Sequence, residues 1–146
     1  MRKRPSKRDY YMNIAKAVSQ RSTCLRRQYG AVIVKNDRII ATGYNGAPRG
    51  FDNCCDLPDC PRKRENVPHG QQYERCKAIH AEENALLSAG KEAEGAILYL
   101  YGYDLELEKE ILAIPCMMCD RIIHNSQIDR VISHDPDNKE YQHYLI

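Results

Sequence analysis

The chain has 146 residues, with 22 Lys and Arg against 20 Asp and Glu, for a formal net charge of +2. That length suits one domain, residues 1–146, with one good core, and the near-even balance excludes the broad cationic field that holds polyanions. Seven cysteines are many for such a chain and odd in number; where thiols stay reduced, they point to metal ligation ahead of disulfides.

Arg2, Lys3, Arg4, Lys7 and Arg8 open the chain, and residues 1 to about 6 read as a solvated basic tail. No apolar run follows it and no stretch is long enough to span a bilayer, so a cytoplasmic protein without a membrane partner is expected. Tyr11, Ile14, Ala15 and Val18 recur at helical spacing and predict a helix over Lys7–Gln20, with Ser6 as N-cap. Ala31–Val34 and Arg38–Thr42 flank Asn36-Asp37 and predict a β-hairpin.

From Asn45 to Cys76 there is little periodicity and much Gly, Pro and Cys, so the segment needs something other than its own core to hold it. A helix is expected from about Ile79 to Ala89, stopped by Gly90, and a strand over Ala96–Leu100. Gly102–Ile114 is ambiguous between a short charged helix and an outlying hairpin. Pro115 starts a helix over Cys116–Asn125, and Arg130–Ser133 is a strand. This order predicts an α/β fold with helices on both faces of a sheet.

His80-Ala81-Glu82 and Pro115-Cys116-Met117-Met118-Cys119 carry the chemistry. One imidazole and two thiolates are zinc's preferred ligand types, and three protein ligands leave one tetrahedral position open, which separates a catalytic site from a structural one. Cys116 and Cys119, three apart at a helix start, direct both sulfurs the same way, and the helix N-terminus favours their thiolates. Zinc lowers the pKa of a coordinated water to about 7, which suits hydrolysis at neutral pH. Glu82, close by and free of the metal, is then the expected proton shuttle. His80 alone would be an ordinary core or cap histidine, and Cys-x-x-Cys alone a redox pair; together they form a known signature of zinc-dependent base deaminases.

With these residues in place, the chain resembles the cytidine/deoxycytidylate deaminase superfamily, and within it the deoxycytidylate (dCMP) branch, over nearly its whole length. Beyond the zinc motifs the resemblance rests on Ser22-Thr23-Cys24-Leu25-Arg26-Arg27, Gly30–Val34 and Gly43-Tyr44-Asn45-Gly46-Ala47-Pro48. It implies a three-layer α/β/α fold with a mixed sheet that starts in a β-hairpin. It further implies zinc-dependent hydrolysis of dCMP to dUMP and ammonia, on the route to thymidylate, and a homo-oligomer, either dimer or hexamer. Asn45 is expected on the nucleotide sugar, and Arg26, Arg27 and Arg49 are candidates for the phosphate. The rival readings are a tRNA adenosine deaminase and a non-catalytic zinc-binding scaffold. The small net charge and the Gly43–Pro48 segment oppose the first, and Glu82 opposes the second.

Five cysteines remain. Cys55 and Cys60 enclose four residues and Cys60 and Cys76 fifteen, spacings that suit a second, structural zinc. The resemblance supports such a site, and the expected ligands are Cys24, Cys54, Cys60 and Cys76, with Cys55 as the alternative to Cys54. Gly102–Ile114 departs from the family pattern by intervening before Pro115, near the expected pocket mouth. No residue gives independent evidence for control by dCTP or dTTP.

Overall fold

A computed structural model describes residues 1–68, 76–138 and 140–145; part of the 45–76 segment and Ile146 lie outside the described residues. Asn36 and Asp37 adopt φ of 52° and 60°, as a two-residue hairpin turn with both centres left-handed requires. They join β1 (Arg27–Lys35) to β2 (Arg38–Tyr44) in antiparallel register, from Lys35 opposite Arg38 to Gly30 opposite Tyr44. β3 (Ile97–Asp104) runs antiparallel to β1, from Val34 opposite Ile97 to Arg27 opposite Asp104.

The ambiguous segment is a hairpin. β3 continues past the expected Leu100 to Asp104, turns, and pairs with β4 (Lys109–Ile111). α4 (Met117–Asn125) then crosses over to β5 (Arg130–Asp135), which lies parallel to β3 from Ile97 opposite Arg130 to Leu100 opposite Ser133. β6 (Glu140–Leu145) adds antiparallel to β5, so the chain after Asp135 forms a sixth strand. The sheet order is β2-β1-β3-β5-β6, with β4 on the stretch of β3 beyond β5.

Alternation along the strands builds two cores. Ala31, Ile33, Leu98 and Leu100 face α3 (Ala81–Ala89) and α4, meeting Ala85, Leu86 and Ile123. Val32, Val34, Tyr99, Tyr101 and Ile132 face α1 (Lys7–Ser19) and pack on Tyr11, Met12 and Ala15. The result is the expected three-layer α/β/α arrangement on a mixed sheet. Ser6 caps α1 as predicted, accepting the Asp9 N–H at 3.1 Å.

Two glycines let the helices touch the sheet. A Cβ on Gly30 would stand 2.0 Å from the Ala15 carbonyl oxygen of α1, and one on Gly43 would stand 2.4 Å from the Ala85 nitrogen of α3. In the long segment, the described regular structure is a 3₁₀ turn at Cys54–Asp56 and α2 (Pro61–Arg64), with a bridge from Gly46 to Ile79. No helix of the described residues is long and apolar enough to cross a membrane.

Candidate metal centre and active site

Two helix N-termini meet beside the end of β3. His80 is the N-cap residue of α3, but its side chain makes no capping bond and turns toward Cys116, the N-cap of α4. Cys116 accepts the backbone N–H of Cys119 at 3.4 Å, which fixes the first turn and aims both sulfurs at the imidazole. His80 Nδ1 lies 3.2 Å from Cys119 Sγ and 3.5 Å from Cys116 Sγ. Tetrahedral zinc with ordinary Zn–N and Zn–S bonds separates such atoms by about 3.5 Å, so the set fits one zinc ion. Among the described residues, these are the one group of three or more His, Cys, Asp or Glu ligand atoms that all lie within 4.8 Å of one another.

Cys119 donating to Cys116, reinforced by His80, draws the Cys116 thiol down to about 4. Cys119 is pushed up by that same bond and by burial, and the Cys116 bond raises His80. Metal ligation deprotonates both sulfurs and takes the imidazole neutral. Glu83 Oε1 accepts a long hydrogen bond from Cys119 Sγ at 3.9 Å and stands 3.9 Å from His80 Nδ1.

Glu82 is buried, with 5% exposure, and lines the cavity. Burial raises its carboxyl above the ordinary range, because a charged carboxylate loses water there. The position of α3 comes from the Gly43–Asn45 segment: Gly43 admits the helix, and Asn84 Nδ2 donates to the Tyr44 carbonyl at 2.8 Å.

The cavity has a volume of about 360 Å³. His80, Glu82 and Cys116 line it together with Asn45, Arg26 and Arg27, so expected metal, proton-transfer and substrate residues come together. Arg49 is exposed on a turn and does not line it. Asn45 is spent partly on backbone: Oδ1 accepts the Tyr29 N–H and Nδ2 donates to the Arg27 carbonyl, both at 2.9 Å. Each of those atoms keeps a second hydrogen-bonding position for a ligand. Arg27 Nε is 3.3 Å from Asp104 Oδ2, and Arg26 Nε is 3.9 Å from Glu106 Oε1.

Sequence reasoning missed Arg62, Leu112 and Ile114, which also line the cavity. Arg62 is buried on α2 and donates to the Pro68 carbonyl at 3.1 Å. The available signal was Cys60-Pro61, since proline favours the first position of a helix. Leu112 and Ile114 follow β4, and Ser133 Oγ anchors the segment by donating to the Ala113 carbonyl at 2.6 Å.

Cys24, Cys60 and Cys76 line the same cavity. Burial, and after it the negative charge that Cys76, Cys24 and Cys60 would carry, raises the Cys54 thiol. Burial is likewise the main cause of the raised Cys76 thiol. Cys55 is exposed and points to Asp56. The four do not close to the ligand spacing of His80, Cys116 and Cys119.

An α/β/α sheet with one imidazole and two thiols gathered at helix N-termini, open to a cavity with a buried carboxyl, fits a mononuclear zinc centre of the catalytic kind. The family description "Cytidine and deoxycytidylate deaminase zinc-binding region" matches residues 5–135, and the chain belongs to that family. It is 41% identical over 134 residues to the deoxycytidylate deaminase of Mycobacterium phage D29, covering 88% of this chain and 94% of that protein. It is 40% identical over 139 residues to that of Schizosaccharomyces pombe, covering 94% of this chain but 39% of the yeast protein. The chain thus spans about two fifths of the latter's length. The crystal structure of dCMP deaminase from the cyanophage S-TIM5 in complex with dCMP and dUMP superposes with a TM-score of 0.61 at 29% identity, covering 89% of this chain and 82% of that one. Cytidine deaminase from Burkholderia pseudomallei, 16% identical with a TM-score of 0.59, shares the fold.

Proposed function

We infer that this chain hydrolyses dCMP to dUMP and ammonia, supplying the precursor of thymidylate. The observation that carries this is one 360 Å³ cavity with His80, Glu82 and Cys116 in its wall together with the guanidinium-bearing Arg26, Arg27 and Arg62. A cytosine ring needs the first set and a 5′-monophosphate the second. The names of the phage and yeast relatives support the same substrate.

His80, Cys116 and Cys119 would hold zinc, which would supply Lewis acidity and an activated water at neutral pH. Glu82 does the proton work. Buried and raised in pKa, it accepts a proton from the attacking water and delivers it to the ring nitrogen, then takes the proton of the C4 hydroxyl so formed and passes it to the amine as the C4–N bond breaks and the C4 carbonyl forms. Leu100, Leu112 and Ile114 give the cavity apolar walls and limit water around the ring. Asn45 orients the sugar through the hydrogen-bonding positions that the backbone leaves open.

A second zinc on Cys24, Cys54, Cys60 and Cys76 completes the reading. It is supported by the convergence of Cys24, Cys60 and Cys76 on one cavity and by the origin of Cys54, Cys60 and Cys76 in a segment with little core of its own. Residues 1–146 act as one domain. Unpaired cysteines suit a reducing compartment such as the cytoplasm. Leu87 of α3 and Met117, Met118 and Ile122 of α4 are exposed, an apolar face suited to a homo-oligomer contact, in a dimer or hexamer.

Metal-loaded protein should release ammonia from dCMP faster than from cytidine or from adenosine in tRNA. The reverse ranking moves the chain to another branch of the family.

A further inference from the structure

The turn of the β3–β4 hairpin carries acid to the arginines of the cavity. Asp104 builds that turn from a buried position: its Oδ1 accepts the N–H groups of Glu106 and Leu107, each at 2.9 Å, while Oδ2 meets Arg27. The Leu105 N–H donates to the Arg26 carbonyl at 2.9 Å, tying the turn to the chain that enters β1. This frame presents Glu106. Its Oε1 lies 3.0 Å from Lys63 Nζ on α2 and 3.9 Å from Arg26 Nε. One carboxylate oxygen therefore serves two cations from two different elements, and one of them, Arg26, lines the cavity.

A carboxylate and a phosphate use the same face of a guanidinium, so they compete for it. The Glu106 side chain is 46% exposed, which keeps its ion pairs screened and easily exchanged. Resting on the dCMP reading, we propose that Glu106 is a built-in competitor for the substrate phosphate at Arg26. In the free enzyme it holds Arg26 and Lys63 together. An arriving 5′-phosphate takes Arg26 from it, and Glu106 remains with Lys63. Glu106 thereby sets the apparent affinity for a nucleoside monophosphate without touching the ring chemistry. A nucleoside brings no anion and leaves the pairing as it was.

The test uses the full chain, metal-loaded, with Glu106→Gln and, as a charge control, Glu108→Gln on the same turn. The readouts are KM and kcat for dCMP and the inhibition constants of deoxycytidine and inorganic phosphate. Glu106→Gln should lower the KM for dCMP and the phosphate constant by roughly three- to fivefold at low salt, with kcat and the deoxycytidine constant unchanged. The gap should narrow as ionic strength rises. Glu108→Gln should leave all four values in place. An unchanged or higher dCMP KM in Glu106→Gln, an equal change for deoxycytidine, or the same gain from Glu108→Gln overturns the proposal. If the wild type does not deaminate dCMP, the reading of function fails instead. Inorganic phosphate affinity, measured by thermal shift in wild type and Glu106→Gln, then still decides the role of Glu106.

Discussion

Cys116 and Cys119 sit at the cap and first turn of α4, facing His80 at the cap of α3, and their ligand atoms close on backbone that two packed helices already fix. Cys24, Cys54, Cys60 and Cys76 come instead from loops, a 3₁₀ turn and the edge of a four-residue helix, and their sulfurs stay more open. The difference is one of preorganisation. Ligands on helices buried against a sheet are placed by the hydrophobic core before metal arrives. On the proposed second zinc, ligands on a segment without a core would be brought together by the metal, whose binding energy would then become folding energy. One cluster borrows its order from the fold, and the other would lend order to it.

The largest effect is expected at Glu82, which belongs to the preorganised side yet is assigned no metal. Glu82→Gln should lower kcat by about 10³ while zinc per chain, measured by mass spectrometry, stays at the wild-type value. Loss of metal in that variant would make Glu82 a ligand and its proton role untenable. His80→Ala should release the catalytic zinc and abolish turnover while the fold persists, its Tm falling only by the stabilisation that the bound ion adds. Cys60→Ser should do the opposite. It should remove one zinc of two, lower stability by about 2–4 kcal/mol at saturating zinc, and spare kcat at low temperature. Equal stability losses in the two variants would erase the distinction between the clusters.

Gly43 tests the borrowed order directly. A Cβ 2.4 Å from the Ala85 nitrogen must push α3 off the sheet, so Gly43→Ala should cost about 1–3 kcal/mol by denaturant unfolding and reduce activity, because α3 carries His80 and Glu82. The smallest effect is expected at Asp104. Burial favours its neutral form, but the N–H groups of Leu107 and Glu106 and the Arg27 guanidinium outweigh this and hold its carboxyl below the ordinary value. A folded-state pKa below the unfolded one gives stability that is present above about pH 4 and lost as pH falls through the folded value. The Tm gap between wild type and Asp104→Asn should therefore be full at pH 6 and close toward pH 3. A gap that widens on acidification would contradict the assignment.

Elements with a clear period were legible in the chain, because the same alternation that marks them also buries them. α1, the β1–β2 hairpin, α3, α4 and β5 fall where spacing and caps put them, within a few residues at each end. So does the metal triad, since His80, Cys116 and Cys119 are fixed by cap positions readable from Pro115 and the helical runs. What escaped was decided by tertiary surroundings. Leu105-Glu-Leu-Glu suits either helix or strand, and the edge of β3 left open beyond Leu100 settles it as a hairpin. Arg62 lies in a segment without periodicity, where Cys60-Pro61 marks a helix start but not that α2 delivers Arg62 to the cavity. Asn45 illustrates the limit from the other side. Its place at the end of β2 was readable, but its bonds to the backbone of Tyr29 and Arg27 depend on the β1 partner strand.

β4 occupies only the part of β3 that β5 does not reach, and it does so by a turn that returns the chain toward Pro115. Residues can be added to or removed from that turn without re-laying a single strand or moving either helix cap. Tuning of which anions are admitted can thus proceed at the rim while the reaction machinery stays as it is, and a library confined to 105–108 should alter selectivity far more often than it abolishes folding.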